Sequence, residues 1–243
     1  MIQIETVEET GSTNADLISR IQSGEAISEG YWLRAKRQSG GRGRLGRKWE
    51  SPEGNLYCST VAQIQADDPL PHTLSFVTAI AVANTLKQCL SDDALMMLKW
   101  PNDALVRGAK IAGILLERCG ESVIVGIGLN VVHAPEVPGH ETTSILVENP
   151  EYKGGAEQVL SELAANFAQA LCTWREEGLA VTLDQWTALA HPIGTRLSLS
   201  PGGDEPVSGE FAGLDANGAL QLRLANGAMR TIHAGDVTMI AQG

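Results

Sequence analysis

Residues 35–49 read Ala35-Lys36-Arg37-Gln38-Ser39-Gly40-Gly41-Arg42-Gly43-Arg44-Leu45-Gly46-Arg47-Lys48-Trp49, far from the composition of the rest of the chain. From Tyr31 to Trp49 there are seven Lys or Arg residues and no acid. The whole chain of 243 residues has 18 basic and 29 acidic side chains, so outside this stretch 11 bases face 29 acids, a formal −18. A cationic segment on such a background is a place for an anion. Gly40, Gly41, Gly43 and Gly46 let backbone N–H groups come close to it. Taken alone, the stretch also fits a solvated Gly/Arg loop or a segment that binds RNA while disordered. The neighbouring sequence has to decide.

Working outward, Ile2–Val7 alternates as a strand, and Gly11-Ser12-Thr13-Asn14 offers N-cap residues for a short helix through Leu17 and Ile21. Tyr31–Ala35 is a strand that delivers the basic loop, and Asn55–Ile64 alternates as another. A helix is expected over 71–90, a short strand at Met96–Trp100, and a hairpin from 104–106 to 109–117. The almost wholly apolar 122–132 reads as a strand covered on both faces. Residues 133–155 form a long loop with one helical turn near 144–147, and helices follow at 156–176 and 182–190. After His191 the pattern changes to short strands, with turn signals at 201–204, 215–218 and 225–228. That spacing predicts a small β-barrel, and the chain divides at 1–190 and 191–243.

Composition narrows the function. A net charge of −11 opposes general nucleic-acid or anionic-membrane binding, which needs a broad basic surface. No apolar run reaches 18 residues, and the acidic N-terminus lacks a signal peptide's pattern. Cys58, Cys89, Cys119 and Cys172 are widely spaced and read as small core or near-core residues, which points to a cytoplasmic protein. The five histidines show no metal-ligand spacing, and no nucleophile–base constellation is visible.

Three segments hold polar residues that strand and helix patterns do not explain. Besides the basic loop they are Lys99-Trp100-Pro101-Asn102-Asp103 with Lys110–Glu117, and Gly126-Ile127-Gly128-Leu129-Asn130 inside an apolar strand. On periodicity alone Lys110 reads as a snorkelling lysine, but a hairpin at 104–109 would bring Asp103 to it and favour a positioned cation. Gly113, Gly126 and Gly128 have no turn to make, and glycine in a strand marks a close approach of ligand or backbone. Asn130 needs partners that its apolar strand does not supply. Gly126-x-Gly128 opens no helix, so it is not a dinucleotide fingerprint.

In order and spacing, Gly41–Trp49, Lys99–Asp103, Lys110–Glu117 and Gly126–Val131 resemble the biotin protein ligases, also called biotin–[acetyl-CoA-carboxylase] ligases. The Ser12-Thr13-Asn14 segment and the C-terminal strands fit as well. The resemblance implies a mixed α/β catalytic domain like that of class II aminoacyl-tRNA synthetases, followed by an SH3-like β-barrel. It implies that biotin and Mg-ATP give biotinyl-5′-adenylate and pyrophosphate, after which the adenylate acylates one lysine of a biotin carboxyl carrier domain. By motif position, Ser12, Thr13, Gln38 and the backbone at Arg42 would hold biotin's ureido ring, with Asn14 in the same biotin site. Gly41, Gly113, Gly126 and Gly128 would line the biotin site, and Lys110 would bridge carboxylate and α-phosphate, with Arg44 beside it as a second catalytic cation. Arg44, Arg47, Asn102, Lys110 and Asn130 would face ATP phosphates, with Mg2+ carried on the phosphates and Asn130 beside it. Trp49 would pack near adenine, and Asp103 would assist deprotonation of the acceptor lysine. The resemblance also admits a homodimer that pairs catalytic sheets.

Many bacterial members carry an N-terminal helix-turn-helix and act as repressors. Ser12 lies eleven residues from Met1, so no operator binding is expected. A lipoate or octanoate transferase is the alternative on the same fold, and a non-catalytic RNA-binding protein the alternative outside it. The low aromatic content of 5% opposes the latter, because stacking platforms are missing.

Overall fold

Strand β1 (Gln3–Thr10) lies parallel to β2 (Tyr31–Gln38), because the ten-residue helix α1 (Thr13–Gln22) carries the chain back between them. All later pairings in this sheet are antiparallel. The computed structural model describes residues 1–91, 94–137, 141–200 and 206–240. With β3 (Leu56–Gln63), β4 (Met96–Lys99), β5 (Asp103–Val106), β6 (Ala109–Cys119) and β7 (Ser122–Leu129), the sheet has seven strands in the order β1-β2-β3-β7-β6-β5-β4.

The two faces of this sheet are covered unequally. Helices α2 (Leu74–Cys89), α4 (Ala156–Glu176) and α5 (Leu179–Leu189) bury one face, with Trp32 edge-on to Phe167 and Phe76 edge-on to Trp186. Burying large aromatic pairs of this kind adds about 0.5–1.5 kcal/mol beyond their area. The opposite face carries a small cluster in which Leu17 of α1 meets Leu33, Val61 and Ile124. Ile124, Gly126 and Gly128 share that second face by strand alternation, so glycines take the places where side chains would stand. The trough they leave is where the site forms.

Several expectations shift at element ends. β7 ends at Leu129 rather than 132, because the Asn55 side chain takes over the edge: its Oδ1 accepts the N–H groups of Val131, Val132 and His133, each at 2.9 Å. The helical turn in the long loop is α3 (Ile145–Glu148), capped by the Ser144 hydroxyl. Helix α5 begins three residues before the expected Thr182. Cys58 and Cys89 are buried, but Cys172 is exposed on the outer face of α4, so it is not a core residue.

The C-terminal strands β8 (Arg196–Ser200), β9 (Val207–Leu214), β10 (Leu220–Arg223), β11 (Met229–Ile232) and β12 (Asp236–Met239) form an antiparallel sheet in the order β11-β10-β9-β8-β12. Leu197, Leu199, Phe211, Leu220, Leu222 and Val237 fill its inside, as expected for an SH3-like barrel. The expected turn at 201–204 lies outside the described residues. The turn at Asp215–Gly218 docks on the first unit: the Trp100 indole N–H donates to Gly218 O at 3.1 Å, and a Cβ at Gly218 would strike the Phe76 ring. The small barrel is thereby tied to the Lys99–Asp103 segment.

Candidate functional site

The basic stretch folds into a tight arm over the glycine trough. Trp49 N–H donates to Gly41 O at 2.9 Å and Gly43 N–H to Arg47 O at 2.7 Å, with Leu45 and Gly46 at positive φ turning the tip. Gly41 is needed inside this arm, since a Cβ there would lie 2.6 Å from Trp49 O. It does not line the cavity, contrary to the sequence expectation, because the close approach it permits is to its own loop. All the other candidate residues line one cavity of about 280 Å3.

The Trp49 indole lies on the trough floor. A Cβ at Gly113 would be 2.9 Å from its Cζ3, and one at Gly128 would collide with Cε2. Its buried Nε1 has no hydrogen-bond partner among the described residues. The ring therefore covers the two glycines expected to line the biotin site, a position closer to them than the adenine role implied. Gly126 is filled differently, with the Asn14 amide packed directly onto it.

At one end of the cavity the charges gather. Hairpin register places Lys99 opposite Asp103 and Asp103 opposite Gly113. Asp103 holds Lys110 Nζ at 2.6 Å through Oδ1 and Lys99 Nζ at 3.3 Å through Oδ2. Burial alone would raise the Asp103 pKa, but the two ammonium groups outweigh it and hold the carboxyl below its ordinary value. A carboxylate spent on two lysines and depressed in pKa is a poor proton acceptor, so the geometry favours Asp103 as the group that positions Lys110. Lys110 Nζ also stands 5.3 Å from the Trp49 ring centroid, within cation–π reach.

Arg44 reaches the same end, donating to Asn102 Oδ1 at 3.2 Å and to Gly235 O at 3.3 Å. Burial pulls its pKa down against the raising effects of Asp236 and Asp103. Arg47 binds Asp236 Oδ1 at 2.8 Å. Asn130 is buried and donates to Thr143 O at 2.9 Å, and its Oδ1 accepts from Asn55 Nδ2 at 3.4 Å. Among the described residues no group of three or more His, Cys, Asp or Glu could hold a metal ion.

The other end is neutral and polar. Ser12 occupies the N-cap of α1, but its hydroxyl makes no capping bond, so capping is not its whole purpose. Thr13 N–H donates to Gln38 Oε1 at 2.9 Å, and Gln38 Nε2 donates to Ser51 Oγ at 3.3 Å. Arg42 is paired with Glu117 at 3.6 Å. The cavity thus joins a hydrogen-bonding end to a cationic end across glycine and indole. It suits an elongated molecule with a neutral polar head and an anionic tail.

In the sequence Lys99 and Glu117 stand only as ends of motif segments, without a role, and Asp236 is not singled out at all. Lys99 carried a signal, since it opens the Lys99–Asp103 segment. Asp236 carried none, being one acid in a short barrel strand.

Comparison with known proteins agrees with this fold. Residues 8–133 match the biotin/lipoate A/B protein ligase family, and residues 199–239 match the biotin protein ligase C-terminal domain. The chain is 36% identical over 241 residues to the biotin–[acetyl-CoA-carboxylase] ligase of Mycobacterium tuberculosis, covering 97% of this chain and 88% of that one. It is 31% identical over 244 residues to the bifunctional ligase/repressor BirA of Escherichia coli, of which it spans 72%. A structure of the biotin protein ligase from Aquifex aeolicus in complex with biotin and ATP superposes with a TM-score of 0.83 at 26% identity, covering all of both chains. With both parts of the chain matched in order, this protein belongs to the biotin protein ligase family.

Proposed function

We propose that this protein attaches biotin to a lysine of a biotin carboxyl carrier domain by way of biotinyl-5′-adenylate. The observation that carries the reading is the two-ended cavity, with Thr13 and Gln38 at a neutral end and Lys110, Lys99 and Arg44 at a cationic end. Biotin has a cyclic urea at one end and a carboxylate at the other. A lipoyl group would present a dithiolane to Thr13 and Gln38 and leave them unpaired, which favours biotin over lipoate.

In the first step a carboxylate oxygen attacks the α-phosphorus of ATP, and the bond to the β-phosphate bridging oxygen breaks to release pyrophosphate. The carboxylate is ionised at neutral pH, so no base is needed. The task is to bring two anions together in line. Lys110, fixed by Asp103, neutralises both at the point of attack, while Arg44 and Arg47 take the departing phosphates. Losing one such donor typically costs about 10²–10³ in rate. Mg2+ would enter with ATP and lower the charge on its phosphates, and Asn130 is the residue that would hold it on the protein side.

In the second step the acceptor lysine's uncharged amine attacks the acyl carbon, AMP leaves, and the amine's proton passes to solvent. The arm at 41–49, with Trp49 beneath it, shields the mixed anhydride from water until then. The enzyme acts in the cytoplasm, a placement supported by four unpaired cysteines. The test is pyrophosphate release from ATP without acceptor. Release is expected with biotin and not with lipoate; equal release with both, or none with biotin, overturns the reading.

A further inference from the structure

Behind the polar end of the cavity runs a hydrogen-bond chain whose direction follows from its end group. Asn14 Nδ2 donates to Glu117 Oε2 at 2.8 Å and faces Leu115 O at 3.4 Å. Both partners are pure acceptors, so the Asn14 amide has one orientation, with Oδ1 on the opposite side. Ser59 Oγ lies 2.6 Å from that Oδ1, which can only accept, so the single Ser59 proton is committed there. Thr13 Oγ1 stands 2.6 Å from Ser59 Oγ. With the Ser59 proton spent, the short contact is satisfied only if Thr13 donates.

Gln38 Oε1, at 3.3 Å, is a second acceptor within reach of the Thr13 hydroxyl, but the 2.6 Å contact to Ser59 claims its single proton, which leaves only lone pairs for the cavity. Gln38 is fixed in the opposite sense: its Oε1 is taken by Thr13 N–H, which leaves Nε2 as the donor side. The neutral end then offers an acceptor beside a donor. An N–H next to a carbonyl matches this pair, as in a cyclic urea. A head group with acceptors alone would meet Thr13 lone pair to lone pair.

We infer that Ser59 is a positioning residue which, with Asn14 and Glu117, fixes the Thr13 hydroxyl as a hydrogen-bond acceptor toward the ligand and so selects an N–H-bearing head group. Ser59 is fully buried and lies behind the cavity wall, so it acts through Thr13 rather than on the ligand. The inference rests on the biotin reading above. Replacing Ser59 removes the acceptor that fixes the Thr13 proton, so the hydroxyl is free to rotate between Gln38 Oε1 and the ligand.

The test is a double-mutant cycle on biotin affinity, measured by calorimetry, with ATP affinity as the control. Ser59→Ala is expected to weaken biotin roughly threefold to tenfold, the scale of one neutral hydrogen bond, and to leave ATP affinity unchanged. In a Thr13→Val background the same substitution should change biotin affinity less than about twofold. Equal losses in both backgrounds, or no loss in either, overturn the inference. If Ser59→Ala does not fold, Ser59→Cys, which keeps the volume and weakens the hydrogen bonds, replaces it with the same expectations. Failure of the wild type to bind biotin would overturn the reading of the site, and the inference with it.

Discussion

Arg47 Nη2 stands 2.8 Å from Asp236 Oδ1, so the basic arm of the large α/β unit is held by a strand of the small barrel 189 residues away. Asp236 also lies 3.9 Å from Arg44 Nη1. The two cations proposed to face ATP phosphates thus share a carboxylate. The pair is half-exposed, and such pairs contribute about 0–1 kcal/mol. Asp236→Asn should therefore loosen the arm without unfolding the protein. The expected result is amide hydrogen exchange at residues 42–48 faster by up to about fivefold. Saturating biotin and ATP should slow that exchange in both proteins, since ligand contacts replace the carboxylate.

Gly128 tests the trough. Its Cβ would collide with the Trp49 indole, the movable end of a side chain rather than backbone. Gly128→Ala should displace the ring and keep the fold, with a melting temperature within a few degrees of wild type. Biotin affinity should fall by about tenfold or more, because a ligand passing over the same floor meets the new methyl. Calorimetry checks this directly, and unchanged affinity would move the ligand path off Gly128.

His191 gives a pH signature. It is buried against Phe211 at a ring separation of 4.3 Å, where the two units join. Burial, aided by the nearby charge of Lys99, pushes its pKa down to about 4. The unfolded chain, with a value near ~6.5, takes up the proton first. The stability contributed by a neutral His191 is complete above about pH 6.5 and is lost as pH falls toward about 4, by roughly 3 kcal/mol if the whole shift is expressed. Denaturant melts from pH 7 to 4 should show this slope in the wild type and a shallower one in His191→Gln.

The parts of the site legible in the sequence were those that broke a local pattern. Gly113 and Gly128 stood in strands with no turn to make, and Lys110 sat at the edge of an apolar run. The hairpin at 104–109 pointed to Asp103 beside Lys110, although the register, shifted by a bulge, pairs Asp103 with Gly113 and Lys110 with Leu105, so the contact is made by the reach of the lysine side chain. Contacts between distant elements were not legible. Asp236 looks like any of 29 acids until β12 is laid against the basic arm. Ser59 reads as an ordinary alternating position of β3, and only the sheet brings it beneath Thr13 and Asn14. Gly41 was misplaced because a glycine's close approach does not name its partner, which here is Trp49 O. The ring position of Trp49 was equally hidden, since sequence spacing does not say which surface an aromatic covers.

In the proposed mechanism Lys110, held by Asp103 at 2.6 Å, makes the anion-on-anion attack possible. Lys110→Ala leaves Asp103 paired with Lys99, so the fold should persist, with circular dichroism and melting close to wild type. The direct measurement is biotin-dependent pyrophosphate release without acceptor, Lys110→Ala against wild type at saturating ATP and biotin. A fall of about 10²-fold or more in a folded protein is the predicted result. Release within about threefold of wild type would contradict it and take Lys110 out of the mechanism.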